Sequence, residues 1–279
     1  MIRATPSRTV DRSSDWGYLL TFQIGTFFTL LPIAVVVGFL ASLLGLGGGV
    51  FMTPLLLLGG FVATQPEAAG TSILAVVFTG ISASIAYYRK GEINFRVGLP
   101  FIPTALGGVL LGTWIVEVAK PSWLSVAFGV FLFYPMAMML AGKTPKDLRP
   151  IAKGESSRVR FYLLIGILGL VAGTVTKLFG IGGGTVFVPS LVMFLGLDIV
   201  TAVATSLFVM VPTALLGSVT SFFQGMLHLE FAVPLILGVV LGAQIGPRIG
   251  ARIPKKRIRQ LFGLVLLYAA INMILKGVH

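Results

Sequence analysis

Cysteine is absent from the 279 residues, and histidine occurs only at His228 and His279. The first absence excludes disulfides, thiolate metal sites and a cysteine nucleophile. The second argues against a haem or a histidine-rich metal centre. Charge is also scarce: 11% of the residues are charged, where a soluble domain carries about a quarter. The carboxylates nearest the apolar runs, Glu67, Glu92, Glu117, Asp198 and Glu230, all fall at or near run ends. None sits mid-run, where a proton or sodium relay would place it, so the sequence identifies no coupling ion. Paired carboxylates and a Ser-His-Asp set are missing as well. Catalysis is therefore not expected, and no metal or cofactor is implied.

Apolar residues are abundant: 56% of the chain is hydrophobic. Runs of about twenty apolar residues recur from Leu30 onward, each long enough to cross a bilayer core of about 30 Å. The ten-residue alternation of a β-barrel does not occur. The expected class is an all-α polytopic membrane protein whose surroundings are the lipid bilayer. A net charge of +12 would suggest nucleic acid in a soluble protein. Here it lies mostly in short loops, where it orients the chain, and no aromatic-basic surface is left to bind nucleic acid. The start reads as a short polar tail and an aromatic interfacial segment (Trp16, Tyr18, Phe22) rather than a cleaved signal.

Two apolar runs are interrupted in the same way. "GLGGGVFMTP" covers 45–54 and "GIGGGTVFVP" covers 180–189. Glycine costs about 1 kcal/mol in a helix interior and proline about 3, so a repeated break needs a reason. Sliding the chain by 135 residues superposes the two glycine runs and Pro54 on Pro189. A shift of 134 superposes Thr71-Ser72 on Thr205-Ser206, Gly91 on Gly225, and Tyr134 on Tyr268. Each half then divides into five apolar pieces, of which the second (50–61 and 185–198) is too short to span.

Loop charge orients the halves. Arg89, Lys90 and Arg96 follow the third piece of the first half; "QGMLHLE", after the third piece of the second half, has no Lys or Arg. Six basic residues occupy the central loop and six more, from Arg248 to Arg259, follow the fourth piece of the second half. Basic loops are cytoplasmic, so equivalent loops face opposite sides. The expected architecture is two inverted repeats, each a broken helical hairpin plus three transmembrane helices. The divisions are an N-terminal tail and interfacial segment (1–27), a first membrane repeat (28–141), a cytoplasmic basic loop (142–160) and an inverted second repeat (161–279). Both termini fall outside, a placement that Arg3, Arg8 and Arg12 strain.

Irregular backbone survives in a membrane only when buried in protein or lining a cavity. Paired breaks in inverted halves mark a transporter site at the repeat interface. Each break exposes the N–H groups and positive end of the next helix, which favours an anion. The candidate substrate-binding residues are Gly47, Gly48, Gly49, Gly182, Gly183 and Gly184, with Pro54 and Pro189 as structural breaks. The competing reading is close helix packing, which small residues also serve. Thr71, Ser72, Thr205 and Ser206 either donate to anion oxygens or back-bond to helix carbonyls. Lys177 either binds substrate or snorkels to the outer interface. Gln244 either contacts substrate or makes an interhelical hydrogen bond.

With these motifs, and with "AGTSI" and "ATSLF" opening the following helices, the chain resembles the sulfite exporter family of the TauE/SafE type over residues 30 to 275. Alanine replaces glycine in the second of those starts. The resemblance implies transport of a small sulfur-containing anion such as sulfite, thiosulfate or a sulfonate across the bacterial inner membrane. The residues themselves supply an anion-friendly site but not sulfur. A secondary transporter working by alternating access is the leading expectation; a passive channel with re-entrant half-helices or a carrier of a non-sulfur organic anion are the alternatives. A homodimer is compatible with the sequence but not indicated by it.

Overall fold

The computed structural model describes residues 12–141, 158–249 and 255–278, and among these it is helical without strands. The expectations for the polar tail at 1–11, the basic connection at 142–157 and the stretch at 250–254 lie outside the described residues. Ten helices follow in order: α1 (Arg12–Leu44), α2 (Gly49–Leu58), α3 (Gln65–Tyr88), α4 (Phe95–Val118), α5 (Pro121–Ala141), α6 (Arg158–Phe179), α7 (Gly184–Met193), α8 (Ile199–Phe223), α9 (Leu229–Ile249) and α10 (Lys255–Val278).

Six stretches among the described residues are long and apolar enough to cross a membrane: Gly25–Leu44, Gln65–Tyr88, Phe95–Val118, Phe161–Phe179, Ile199–Phe223 and Leu229–Gly246. The chain is thus a multi-pass membrane protein. The two short pieces are α2 and α7, ten residues each, which rise only about 15 Å. Helix α1 runs back to Arg12, well before the span expected from residue 28. No proline lies between 12 and 27 to stop it, and the polar residues Arg12 to Asp15 fall in its first turn.

Helices α3 and α8 form the centre. Their facing sides bury Ile73, Val76, Leu207 and Met210, while the outer helices show lipid-sized side chains such as Trp114, Leu237 and Tyr268 to the surroundings. Helix α1 packs along α9, and α4 along α6. Both crossings are close because glycine meets backbone: a Cβ at Gly242 would overlap the Val35 carbonyl, and one at Gly173 the Ala105 carbonyl. Close packing by small residues therefore accounts for Gly242 and Gly173 at these crossings. Helices α5 and α10 pair with each other.

The two central helices start at side-chain caps. Thr64 and Glu67 form a reciprocal capping box at α3. At α8 the Asp198 carboxylate accepts from the N–H groups of Val200 (2.9 Å) and Thr201 (3.2 Å). Partial burial pushes this carboxyl up, but the hydrogen bonds from Thr201 and Val200 outweigh it and hold it below its ordinary value. A lowered carboxyl stabilises the fold above its unfolded-state value, and that contribution disappears as pH falls through the folded-state value. Asp198→Ala is expected to cost about 1 kcal/mol near neutral pH. Thermal melts of wild type and variant should converge in acid.

Candidate functional site

Three of the four glycines in each break take a left-handed backbone. φ is +70°, +77° and +84° at Gly45, Gly47 and Gly48, and +68°, +74° and +72° at Gly180, Gly182 and Gly183. Side chains other than glycine rarely adopt this region. Gly48 and Gly183 are the N-caps of α2 and α7, and neither helix start has a side-chain cap. The breaks therefore lie at the glycines. Pro54 and Pro189 sit inside α2 and α7, five residues beyond the last glycine, where each removes one main-chain donor.

The fourth glycine has another role. Gly49 and Gly184 have no positive φ, but a Cβ at Gly49 would overlap the Gly180 carbonyl, and one at Gly184 the Gly45 carbonyl. The two breaks thus press backbone to backbone at one buried point. Met210, fully buried on α8, lies against both Gly47 and Gly182, with Val76 of α3 beside Gly182.

The serine and threonine pairs are built into this crossing. Ser72 Oγ lies 3.3 Å from the Gly180 carbonyl and Ser206 Oγ lies 3.4 Å from the Gly45 carbonyl. Both serines also reach carbonyls of their own helix, Ala69 and Val203. Thr71 Oγ1 accepts from the His228 N–H (3.1 Å), and Thr205 Oγ1 accepts from the Asn94 N–H (3.0 Å). Each Thr-Ser pair therefore ties a loop with its first member and touches a glycine break with its second. Thr53, within the first quoted motif, joins them: its hydroxyl is 2.7 Å from Ser72 Oγ and donates to the Phe179 carbonyl at 3.0 Å.

Backbone donors are left over at both helix starts. In the first break the earliest α2 N–H groups with an acceptor are those of Phe51 and Met52, both bonded to the Gly48 carbonyl; in the second they are those of Val186 and Phe187, both bonded to Gly183. Among the described residues, the N–H groups of Gly47 to Val50 and of Gly182 to Thr185 have no acceptor. These are the orphan donors that any helix start carries, here wholly inside the protein.

Lys177 and Gln244 make their hydrogen bonds elsewhere. The Lys177 ammonium, on a side chain only 4% exposed, donates to Ser221 Oγ (2.7 Å) and Gln224 Oε1 (2.8 Å) at the end of α8. Gln224 Nε2 in turn donates to Glu117 Oε1 at 3.1 Å. Gln244 Nε2 donates to the Ser82 carbonyl and hydroxyl, both at 3.0 Å, joining α9 to α3. At the start of α9, His228 Nδ1 lies 3.3 Å from a Glu230 oxygen. A groove of about 520 Å³ between α1, α2 and α10 is lined by residues such as Val36, Leu55 and Leu266; that lining suits lipid rather than an anion.

Sequence reading missed Met210, Thr53 and Thr185. Met210 and Thr185 match Val76 and Val50 under the repeat shift, so a search for residues shared by the halves passes over them. Thr53 matches Val188 and is lost in the same way.

The comparisons with known proteins point one way. The family model described as sulfite exporter TauE/SafE matches residues 30–273. A Bacillus subtilis protein named "Probable membrane transporter protein YunE" is 28% identical over 274 residues, covering 91% of this chain and 99% of that one. A Xylella fastidiosa (strain Temecula1) protein bearing the name "Probable membrane transporter protein" is 27% identical over 240 residues, with 85% and 91% covered. "Probable membrane transporter protein MJ0441" of Methanocaldococcus jannaschii is 29% identical over 176 residues, with 60% and 63% covered. No solved structure matches the chain significantly. Paired glycine breaks in a multi-pass helical chain, together with a family match over nearly all of its length, identify the protein as a member of the sulfite exporter TauE/SafE family.

Proposed function

We propose that this membrane transporter is a secondary carrier of a small, sulfur-containing anion such as sulfite, thiosulfate or a sulfonate, moved across the bacterial inner membrane by alternating access. The observation that carries this reading is the meeting of two glycine breaks at one buried point, each presenting unpaired backbone N–H groups. Such donors suit an anion that must shed water inside a bilayer. The fully buried contact at Met210 is consistent with an occluded state, from which rocking of the halves would open the site to either side.

Reciprocal contacts support reading the halves as inverted repeats. Ser72 touches Gly180 as Ser206 touches Gly45, and His228 bonds Thr71 as Asn94 bonds Thr205. With basic loops cytoplasmic, the α3–α4 loop lies inside, the α8–α9 loop outside, and both termini outside. The cysteine-free chain allows a direct check: Gly91→Cys should label from the cytoplasmic side and Gly225→Cys from outside. Labelling from the opposite sides would refute the inverted arrangement.

In this reading Gly47 to Gly49 and Gly182 to Gly184 line the anion path, and Thr71, Ser72, Thr205 and Ser206 hold its walls. Lys177 supplies positive charge three residues before the second break, and Gln244 couples α9 to α3 during rocking. Lys177→Gln should then weaken anion binding. Proteoliposomes loaded with sulfite, thiosulfate, taurine or sulfoacetate should show saturable uptake with counterflow for at least one of them. Rapid non-saturating conductance would replace the carrier by a channel, and uptake of carboxylates alone would remove sulfur from the assignment.

A further inference from the structure

We infer that the anion sits at the start of α7, not equally at both breaks, and that the Thr185 hydroxyl is the side-chain donor that holds it. This rests on the carrier reading above and specifies the seat of its substrate. Thr185 is 1% exposed, and its Oγ1 has no hydrogen-bond partner among the described residues. Other buried threonines near the centre are engaged. Thr53, Thr79, Thr176 and Thr213 reach carbonyls, while Thr71 and Thr205 accept from loop N–H groups.

Position explains the exception. A threonine inside a helix back-bonds to the carbonyl one turn earlier, as Thr79 does to Ala75. Thr185 is the second residue of α7, and the residue four before it, Ile181, lies within the break. Its hydroxyl is thus left without that partner, at the same helix start where the N–H groups of Gly182, Gly183, Gly184 and Thr185 find no acceptor among the described residues. One hydroxyl donor and four N–H donors at one helix start, its positive end, complement a compact anion with several acceptor oxygens.

The first break differs. The position matching Thr185 is Val50, also fully buried, which offers no side-chain donor. The hydroxyl that α2 does carry, on Thr53, is committed to Ser72 and the Phe179 carbonyl. On this assignment the α2 break braces the crossing and the α7 break binds. The ligand class is a small oxyanion, and a halide is discriminated against because it presents no array of oxygens to the hydroxyl and N–H groups.

The test compares Thr185→Val and Thr185→Ser with wild type, using purified full-length protein, sulfite, thiosulfate and sulfoacetate as probes, and chloride as the control. Thr185→Val removes an unpartnered hydroxyl without changing side-chain volume, so its apparent Tm without ligand should equal or exceed that of wild type. Its affinity for the oxyanion that binds wild type should fall at least tenfold, with Thr185→Ser close to wild type. A Thr185→Val protein that melts lower and binds normally would make Thr185 a packing residue and overturn the assignment while leaving the carrier intact. Equal loss of affinity in Thr185→Ser would also overturn it, since the hydroxyl would not be what matters. If wild type binds none of the oxyanions, the carrier reading fails and this assignment with it.

Discussion

Gly184→Ala is expected to abolish stable folding, and Gly49→Ala to do the same. Alanine is the better helix former by about 1 kcal/mol, and neither position has a positive φ that alanine would resist. On local grounds both substitutions should stabilise the start of a short helix. The expected loss comes entirely from tertiary contact. A Cβ at Gly184 meets the Gly45 carbonyl and the Leu46 Cα; one at Gly49 meets the Gly180 carbonyl and the Ile181 Cα. These are backbone atoms that no rotamer change can move, so the two breaks would have to part. Overpacking of a core costs about 1–3 kcal/mol when side chains can adjust, and here they cannot. Yield of monodisperse protein in detergent and its thermal midpoint measure the effect. Gly225→Ala is the control: φ there is +68°, but nothing lies within 4 Å of the added Cβ, so only a local strain of about 1–2 kcal/mol is expected. If Gly184→Ala melted no lower than Gly225→Ala, the breaks would not be in contact.

A second large effect is expected at the buried lysine. Gln224→Leu removes one of the two acceptors of the Lys177 ammonium, and with it the link to Glu117. A hydrogen bond to a charged group contributes about 1.5–3 kcal/mol, and stripping a partner from a buried charge costs about 3–5 kcal/mol. The expected destabilisation is therefore about 3 kcal/mol. Lys177→Met, which removes the charge itself and keeps most of the volume, should cost about 1 kcal/mol. The double variant should be more stable than Gln224→Leu alone, because no ammonium is left to satisfy. A double variant as unstable as the sum of the two would show that Gln224 acts through packing and not through Lys177.

Much of the local organisation was readable without coordinates. The helical class follows from apolar runs of span length, and the two short pieces follow from their length alone. The breaks fall at the quoted glycines. The beginning of α1 was less legible, because an interfacial aromatic segment and the continuation of a helix have the same composition. Lys177 and Gln244 each had two readings, since a sequence records that a polar side chain lies within a span but not what it touches.

The amino-acid order by itself determined that this chain lives in a bilayer, that its backbone breaks twice, and that both breaks carry the same glycine and proline pattern. Those properties depend on hydropathy and on φ preferences, which are local. Only the tertiary structure decided that the two breaks press against each other, because contact between Gly49 and Gly180, or Gly45 and Gly184, depends on how the other helices pack. It also separated the four glycines of each break into three that permit a left-handed turn and one that permits a carbonyl to approach. The same packing left Thr185 without a partner while satisfying Thr53, Thr71 and Thr205. Whether a buried hydroxyl is spent on the fold or kept for a ligand depends on which carbonyls come within reach.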